Sequence, residues 1–190
     1  MESRQTTSGF SIEGRIDTQV HDSQTLRGAA DDYDSLSKDE KLELARETEA
    51  EYEDTFYNVT TDRLHEYFVD NLDPEITTSE ANVNSAWLSL GNDSTATDTS
   101  DTDLNNRVYE ETVTDHANNG KELLASTFID STEANDGGTQ ILNELGLWTG
   151  DPNNNANEDV FLMNHATFAD IEKDNSKTVT FDVTLTFSDV

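Results

Sequence analysis

Residues 177–188 read KTVTFDVTLTFS: Val179, Phe181, Val183, Leu185 and Phe187 alternate with Thr178, Thr180, Asp182, Thr184 and Thr186. A helix turning every 3.6 residues would scatter these side chains around its circumference. A strand puts the five apolar ones on one face and the polar ones on the other, as in an antiparallel strand covering a core. Weaker alternation recurs in 84–91 (NSAWLSLG), 121–130 (KELLASTFID), 140–150 (QILNELGLWTG) and 159–171 (DVFLMNHATFADI). Between them lie polar stretches at 92–103, 133–138 and 151–159. Five or more short strands at this spacing predict an antiparallel β-sandwich of the jelly-roll kind over residues 83–190, with the last strand paired on both sides.

The N-terminal part reads differently. Ser37 and Glu40 have the spacing of a capping box, and the run KDEKLELARETEAEYEDTFYN contains neither Gly nor Pro. Leu42, Ala45, Glu49, Tyr52 and Phe56 recur at intervals of three and four, predicting a narrow-striped helix. A second helix is expected from Thr61 or Asp62 through Leu64, Tyr67, Phe68 and Leu72, ended by Pro74. Residues 37–82 thus read as a helical hairpin. Residues 1–36 have only Phe10, Ile12, Ile16, Val20 and Leu26 as scattered apolar positions, with Gly14 interrupting a potential strand. They read as an extended arm that orders on a neighbour, a free terminus being the alternative. The expected fold class is α+β: arm, helical hairpin, β-sandwich.

Charge narrows the setting. The 190 residues carry 41 acids against 11 bases, a formal net charge of −30. The excess is even: residues 1–82 hold 21 acids and 7 bases, residues 83–190 hold 20 and 4. Disordered acidic tails concentrate their charge, whereas this chain spreads it over segments that also carry core positions. At molar salt the Debye length is about 3 Å, and such a surface no longer repels itself. The composition resembles that of proteins from halophilic archaea and their viruses. The same field repels nucleic acid and anionic lipid, so neither is expected as a partner. No apolar stretch is long enough to span a bilayer as a helix, and MESRQTTSGF lacks the features of a secretory signal. With no cysteine, disulfides and thiolate chemistry are excluded.

The order of elements in the C-terminal half carries a resemblance. An EANDG turn (133–137) precedes ILNELGLW (141–148), and FLMNHATFADIEKDNSKTVTFDVTLTFS (161–188) follows. Ile141, Glu144, Gly146, Leu147 and Trp148, then Phe168, Ile171, Lys173 and the final strand, resemble a β-sandwich domain of tail-fibre and tail-collar proteins of tailed phages. The Ile141-to-Glu144 spacing is one residue longer than the usual form. The likeness spans about residues 84–190 and implies a fold and a virion context, with no catalytic residues.

Candidate chemistry is sparse. Asp151, Asn153, Asn155, Asn157 and Asp159 begin like a calcium loop, but Ala156 stands where the turn needs Gly and Leu162 where a bidentate Glu belongs. Asp98, Asp101 and Asp103 could gather a cation, yet read more simply as a solvated loop. His21, His65, His116 and His165 show no zinc-hydrolase spacing. The pair Glu110 and Glu111 is uninformative among so many acids. Asn58 and Asn92 open glycosylation sequons. Trp87 and Trp148 could stack on sugars, though both sit beside leucines as core residues do. No catalytic, cofactor or metal site is expected.

The function expected from sequence is therefore a non-enzymatic virion structural protein of a tailed virus infecting a halophilic archaeon. It would link or decorate the particle at the baseplate, fibre attachment or capsid turret. The alternative is a carbohydrate-binding module recognising host surface glycans. The narrow helix stripe and the arm suggest a cyclic homo-oligomer, a trimer or a pentamer, bound to other virion proteins.

Overall fold

The computed structural model describes residues 10–66, 86–154 and 160–189. Among them, nine strands form one antiparallel sheet: β1 (Phe10–Asp22), β2 (Tyr52–Thr60), β3 (Trp87–Gly91), β4 (Arg107–Thr112), β5 (Asp115–Asn118), β6 (Glu122–Ile129), β7 (Gln140–Trp148), β8 (Leu162–Lys173) and β9 (Lys177–Asp189). Their order across the sheet is β4-β3-β7-β8-β2-β1-β9-β6-β5. Two helices, α1 (Ser23–Ala29) and α2 (Lys38–Glu47), follow β1, and residues 62–66 form a further helical stretch after β2.

The sheet curls. β2 pairs with β1 from Tyr52 to Asn58, but with β8 only through Val59 and Thr60, so the sheet bends sharply there. At the far ends, β4 and β5 are the two outermost strands, yet only residues 113 and 114 separate them. The Val113 N–H donates to the Ala86 carbonyl at 3.0 Å and the Thr114 N–H to that of Ser126 at 2.7 Å. A chain that passes from one edge to the other in two residues forces those edges together. The result is a half-barrel whose inner face holds one continuous core: Ile16 of β1, Leu88 and Leu90 of β3, Leu145 and Leu147 of β7, and Val179, Phe181, Val183 and Leu185 of β9 are each fully buried. β9 pairs with β1 on one side and β6 on the other, with Phe187 partly buried.

Two coverings close the outer face. Over β6, α1, α2 and the 3-10 turn between them lay Leu26, Tyr33, Leu42 and Ala45 on the outward Phe128. Over β3, β7 and β8, the loop 92–106 lays Leu104 on Trp148 and Leu162. Strands buried on both faces read as nearly continuous apolar runs, which is why β6 and β7 alternate less cleanly than β9.

This architecture corrects the expectation of an arm, a helical hairpin and a β-sandwich. The arm is β1, an interior strand: Ile12, Gly14, Ile16, Thr18 and Val20 share its inner face, and the small or polar members at 14 and 18 disguise the alternation. Gly14 is small because the Asn58 amide lies over it, where a Cβ would overlap Oδ1. The capping box at Ser37 and Glu40 forms, and Leu42 and Ala45 are buried, but α2 ends at Glu47. Tyr52 and Phe56 are strand residues, because a spacing of four repeats on one face of a strand as well as of a helix. The aromatic and β-branched content of YEDTFYNVT favours the strand. In the 62–66 stretch Leu64 is buried, whereas Tyr67, Phe68, Leu72 and Pro74 lie outside the described residues. No helix among the described residues is long and apolar enough to cross a membrane.

Candidate functional site

The most unusual chemistry lies under the loop 92–106. β7 and β8 bring Gly146 opposite His165, and Glu144 stands two residues along the same face of β7. His165 Nδ1 meets Asp101 Oδ2 at 2.6 Å, and its Nε2 meets Glu144 Oε1 at 2.8 Å. The side chains of His165 and Glu144 are 0% exposed, and that of Asp101 is 24% exposed. Glu144 also accepts the backbone N–H of Asn105 at 2.6 Å and of Asn106 at 3.2 Å. A buried carboxylate with three polar partners is well satisfied, whereas an unpaired one would cost several kcal/mol (roughly 3–5).

Glycines make room for this clasp. A Cβ on Gly91 would overlap Glu144 Oε2 and stand 2.9 Å from the Asn106 carbonyl. A Cβ on Gly146 would overlap Leu104 Cδ1 and stand 2.7 Å from Leu162 Cδ1. The two glycines form a notch into which the loop settles. Trp148 is 3% exposed beside it, donating Nε1–H to Ser89 Oγ at 2.7 Å under the Arg107 guanidinium. The loop's aspartates also bond within the loop, Asp93 accepting from Thr95. Asp98 accepts from Ser100 N at 2.9 Å and Oγ at 2.7 Å, Asp101 from Asp98 N at 2.8 Å, and Asp103 from Leu104 N at 2.8 Å. With every polar atom of the imidazole engaged and buried, the clasp holds a loop; it is not placed to exchange protons with a substrate.

On the far side of the loop, the Asp62 N–H donates to the Thr99 carbonyl at 2.6 Å. A groove of about 750 Å³ opens there, lined by Asn58, Thr60, Asp62, His65, Glu66 and Thr99. His65 Nε2 meets Thr60 Oγ1 at 2.9 Å, and Glu66 pairs with Arg63.

The remaining sequence candidates are dispersed. His21 is buried, and desolvation holds its imidazole below the ordinary value; His116 is exposed on β5. Asp151 accepts from Asn153 N at 2.9 Å, while Asn155, Asn157 and Asp159 lie outside the described residues. Among the described residues no group of three or more His, Asp or Glu is arranged to hold a metal ion. The side-chain atoms of Asn58 are buried, so the nitrogen a glycan would need is covered; Asn92 accepts from Asn106 Nδ2. Trp87 is half-buried and opposite Trp148 in the β3–β7 register, so the two rings serve packing.

Glu111 is a second buried carboxylate. It joins Lys38 at the start of α2, which also bonds Glu133 at 2.8 Å. Burial pushes its carboxyl up to about 7, against the downward pull of Lys38 and with the help of Glu133. Sequence reasoning set Glu111 aside as uninformative, named Glu144 only as part of the resemblance, and did not pair Asp101 with His165. Only Glu144 gave a local signal, as the one charge inside ILNELGLW.

Compared with protein-family models, curated proteins and solved structures, the chain matches none of them.

Proposed function

We propose that this chain is a non-enzymatic structural component of the particle of a tailed virus infecting a halophilic archaeon, linking or decorating that particle. The carrying observation is how charge is placed. Seven of the ten bases in the described residues (Arg15, Arg27, Lys38, Lys41, Arg46, Arg63 and Arg107) are held in ion pairs with neighbouring carboxylates. Three of these, on α2, tie the helix to Glu111, Asp130 and Asp182 of the sheet and its loops. The three bases of α2 fasten the helix to the sheet, the others pair locally at the surface, and the large acidic surplus is left to the surface. Such a surface suits a protein bathed in concentrated salt. The resemblance of residues 141–188 to tail-fibre and tail-collar domains supplies the virion context. Those residues contribute β7, β8 and β9.

A closed cyclic homo-oligomer bound to other virion proteins is part of the same proposal and rests on the virion context alone, since the arm that suggested it is the interior strand β1. Antibody labelling of intact particles tests the reading: decoration at fixed tail or head positions is expected, and its absence from purified particles would overturn it. A monomer in sedimentation at molar salt would remove the oligomer. Saturable glycan binding that depends on Trp87 would instead make the chain a host-recognition module.

A further inference from the structure

We propose that the outer face of β1 and β2 around Tyr57 is a platform that binds a neutral saccharide by ring stacking and hydrogen bonds. The outer face of the sheet is covered in two places, by the helices over β6 and by the loop 92–106 over β3, β7 and β8. Between these coverings, Glu13 and Arg15 of β1 and Glu53, Thr55 and Tyr57 of β2 are exposed. Tyr57 is 76% exposed, more than any other large apolar side chain among the described residues. Trp148 is buried and Trp87 half-buried, so Tyr57 is the ring that the fold presents.

The polar groups beside the ring are already held in place. The β1–β2 register sets them in successive rows: Tyr57 opposite Arg15, Thr55 opposite Asp17, Glu53 opposite Gln19. Arg15 donates Nε and Nη2 to Asp17 Oδ1 at 3.2 and 2.8 Å, and the Thr55 hydroxyl donates to the same oxygen at 2.5 Å. Gln19 Nε2 donates to Glu53 Oε1 at 2.8 Å. Side chains that fix one another on paired strands have little freedom left to lose when a ligand arrives.

Size and charge select the ligand. With strands about 4.8 Å apart and same-face residues about 6.7 Å apart, β2, β1 and β9 offer a patch of roughly 15 by 25 Å. That area, about 400 Å², is half of the about 800 Å² that each partner of a stable protein pair covers. Asp182 of β9 is neutralised by Arg46, and Glu13, Arg15, Asp17 and Glu53, three acids and one base, leave the patch at −2. A second copy would set −2 against −2, and nucleic acid or anionic lipid would meet the same field. A pyranose escapes both limits. It is small and uncharged, with an apolar face of C–H bonds for the Tyr57 ring and a rim of hydroxyls for the guanidinium, carboxylates and amide. The platform needs only the fold, so it stands or falls apart from the particle assignment.

The test titrates the full chain in molar KCl with linear gluco-, manno- and galacto-oligosaccharides, followed by saturation-transfer NMR and calorimetry. Saturable binding of at least one series is expected, with transfer to the sugar C–H protons. Its affinity should barely change between about 1 and about 3 M KCl, since the ligand carries no charge to screen. Tyr57→Ala should weaken binding about tenfold or more, whereas Tyr57→Phe, which keeps the ring, should retain most of it. Both variants should unfold at the wild-type temperature, because the ring lies mostly in solvent. Failure of all three series to bind would overturn the platform, as would binding that Tyr57→Ala leaves intact. A dimer in sedimentation that Tyr57→Ala dissolves would give the face to a second copy, and would overturn it as well.

Discussion

A single hydrogen atom in place of a methyl group decides whether the loop 92–106 can sit down. At Gly146 the added carbon of an alanine would collide with Leu104 and Leu162, two side chains that are themselves buried. Neither has room to withdraw without lifting the loop or opening the β7–β8 pairing. Gly146→Ala should therefore cost about 1–3 kcal/mol, the usual penalty of overpacking. Thermal unfolding will show the loss, and Trp148 emission will show whether the loop has moved. Little of this was legible beforehand. Glu144 and Gly146 could be seen as interruptions of an apolar run, but their partners come from residues 91, 101, 104–106 and 165, and no local spacing encodes that meeting. Asp101 looked like one more acid in a polar loop. His165 looked like a lone histidine in a strand. What distinguishes them is burial, which depends on the whole sheet being closed.

Elements are joined by a few buried charges, and the joint between α2 and the β4 edge is the one that pH should move. Glu111 is only 13% exposed, and its carboxyl is pushed up to about 7. Between the ordinary carboxylate value of 4.5 and about 7, the folded chain holds a proton there that the unfolded chain has released. Stability therefore falls as pH rises through that window, and the cost persists above it. Glu111→Gln mimics the protonated form, so it should raise stability at pH 8 by on the order of 2 kcal/mol. The gain should vanish below about pH 4.5. Urea unfolding of both chains at the two pH values checks the sign. At this scale the sequence was more readable. β9 and the capped start of α2 follow from period and capping chemistry, which are local. β1 and β2 escaped because Gly14 and Thr18 dilute one alternation and because Tyr52 and Phe56 satisfy two periods at once.

Over the whole molecule, the order β4-β3-β7-β8-β2-β1-β9-β6-β5 pairs the first strands with the last ones, and only long-range contacts decide it. Strand content could be read from alternation. The merging of everything into one curled sheet could not, since a sandwich and a half-barrel present the same inward and outward faces. Charge acts on this same scale. A formal charge of −30 on 21.1 kDa, with its described bases mostly taken up in local pairs, leaves repulsion that works across the entire surface. The Debye length falls from about 10 Å at 0.1 M to about 3 Å at 1 M salt, so the repulsion is nearly silent only in the second case. The proposed molar-salt setting depends on that difference. The direct measurement is the thermal midpoint of the β-sheet circular dichroism in KCl from about 0.1 M to above 1 M, against sucrose as a neutral stabiliser. The midpoint should climb steeply with KCl and much less with sucrose, and an equal midpoint in dilute and molar KCl would contradict the account.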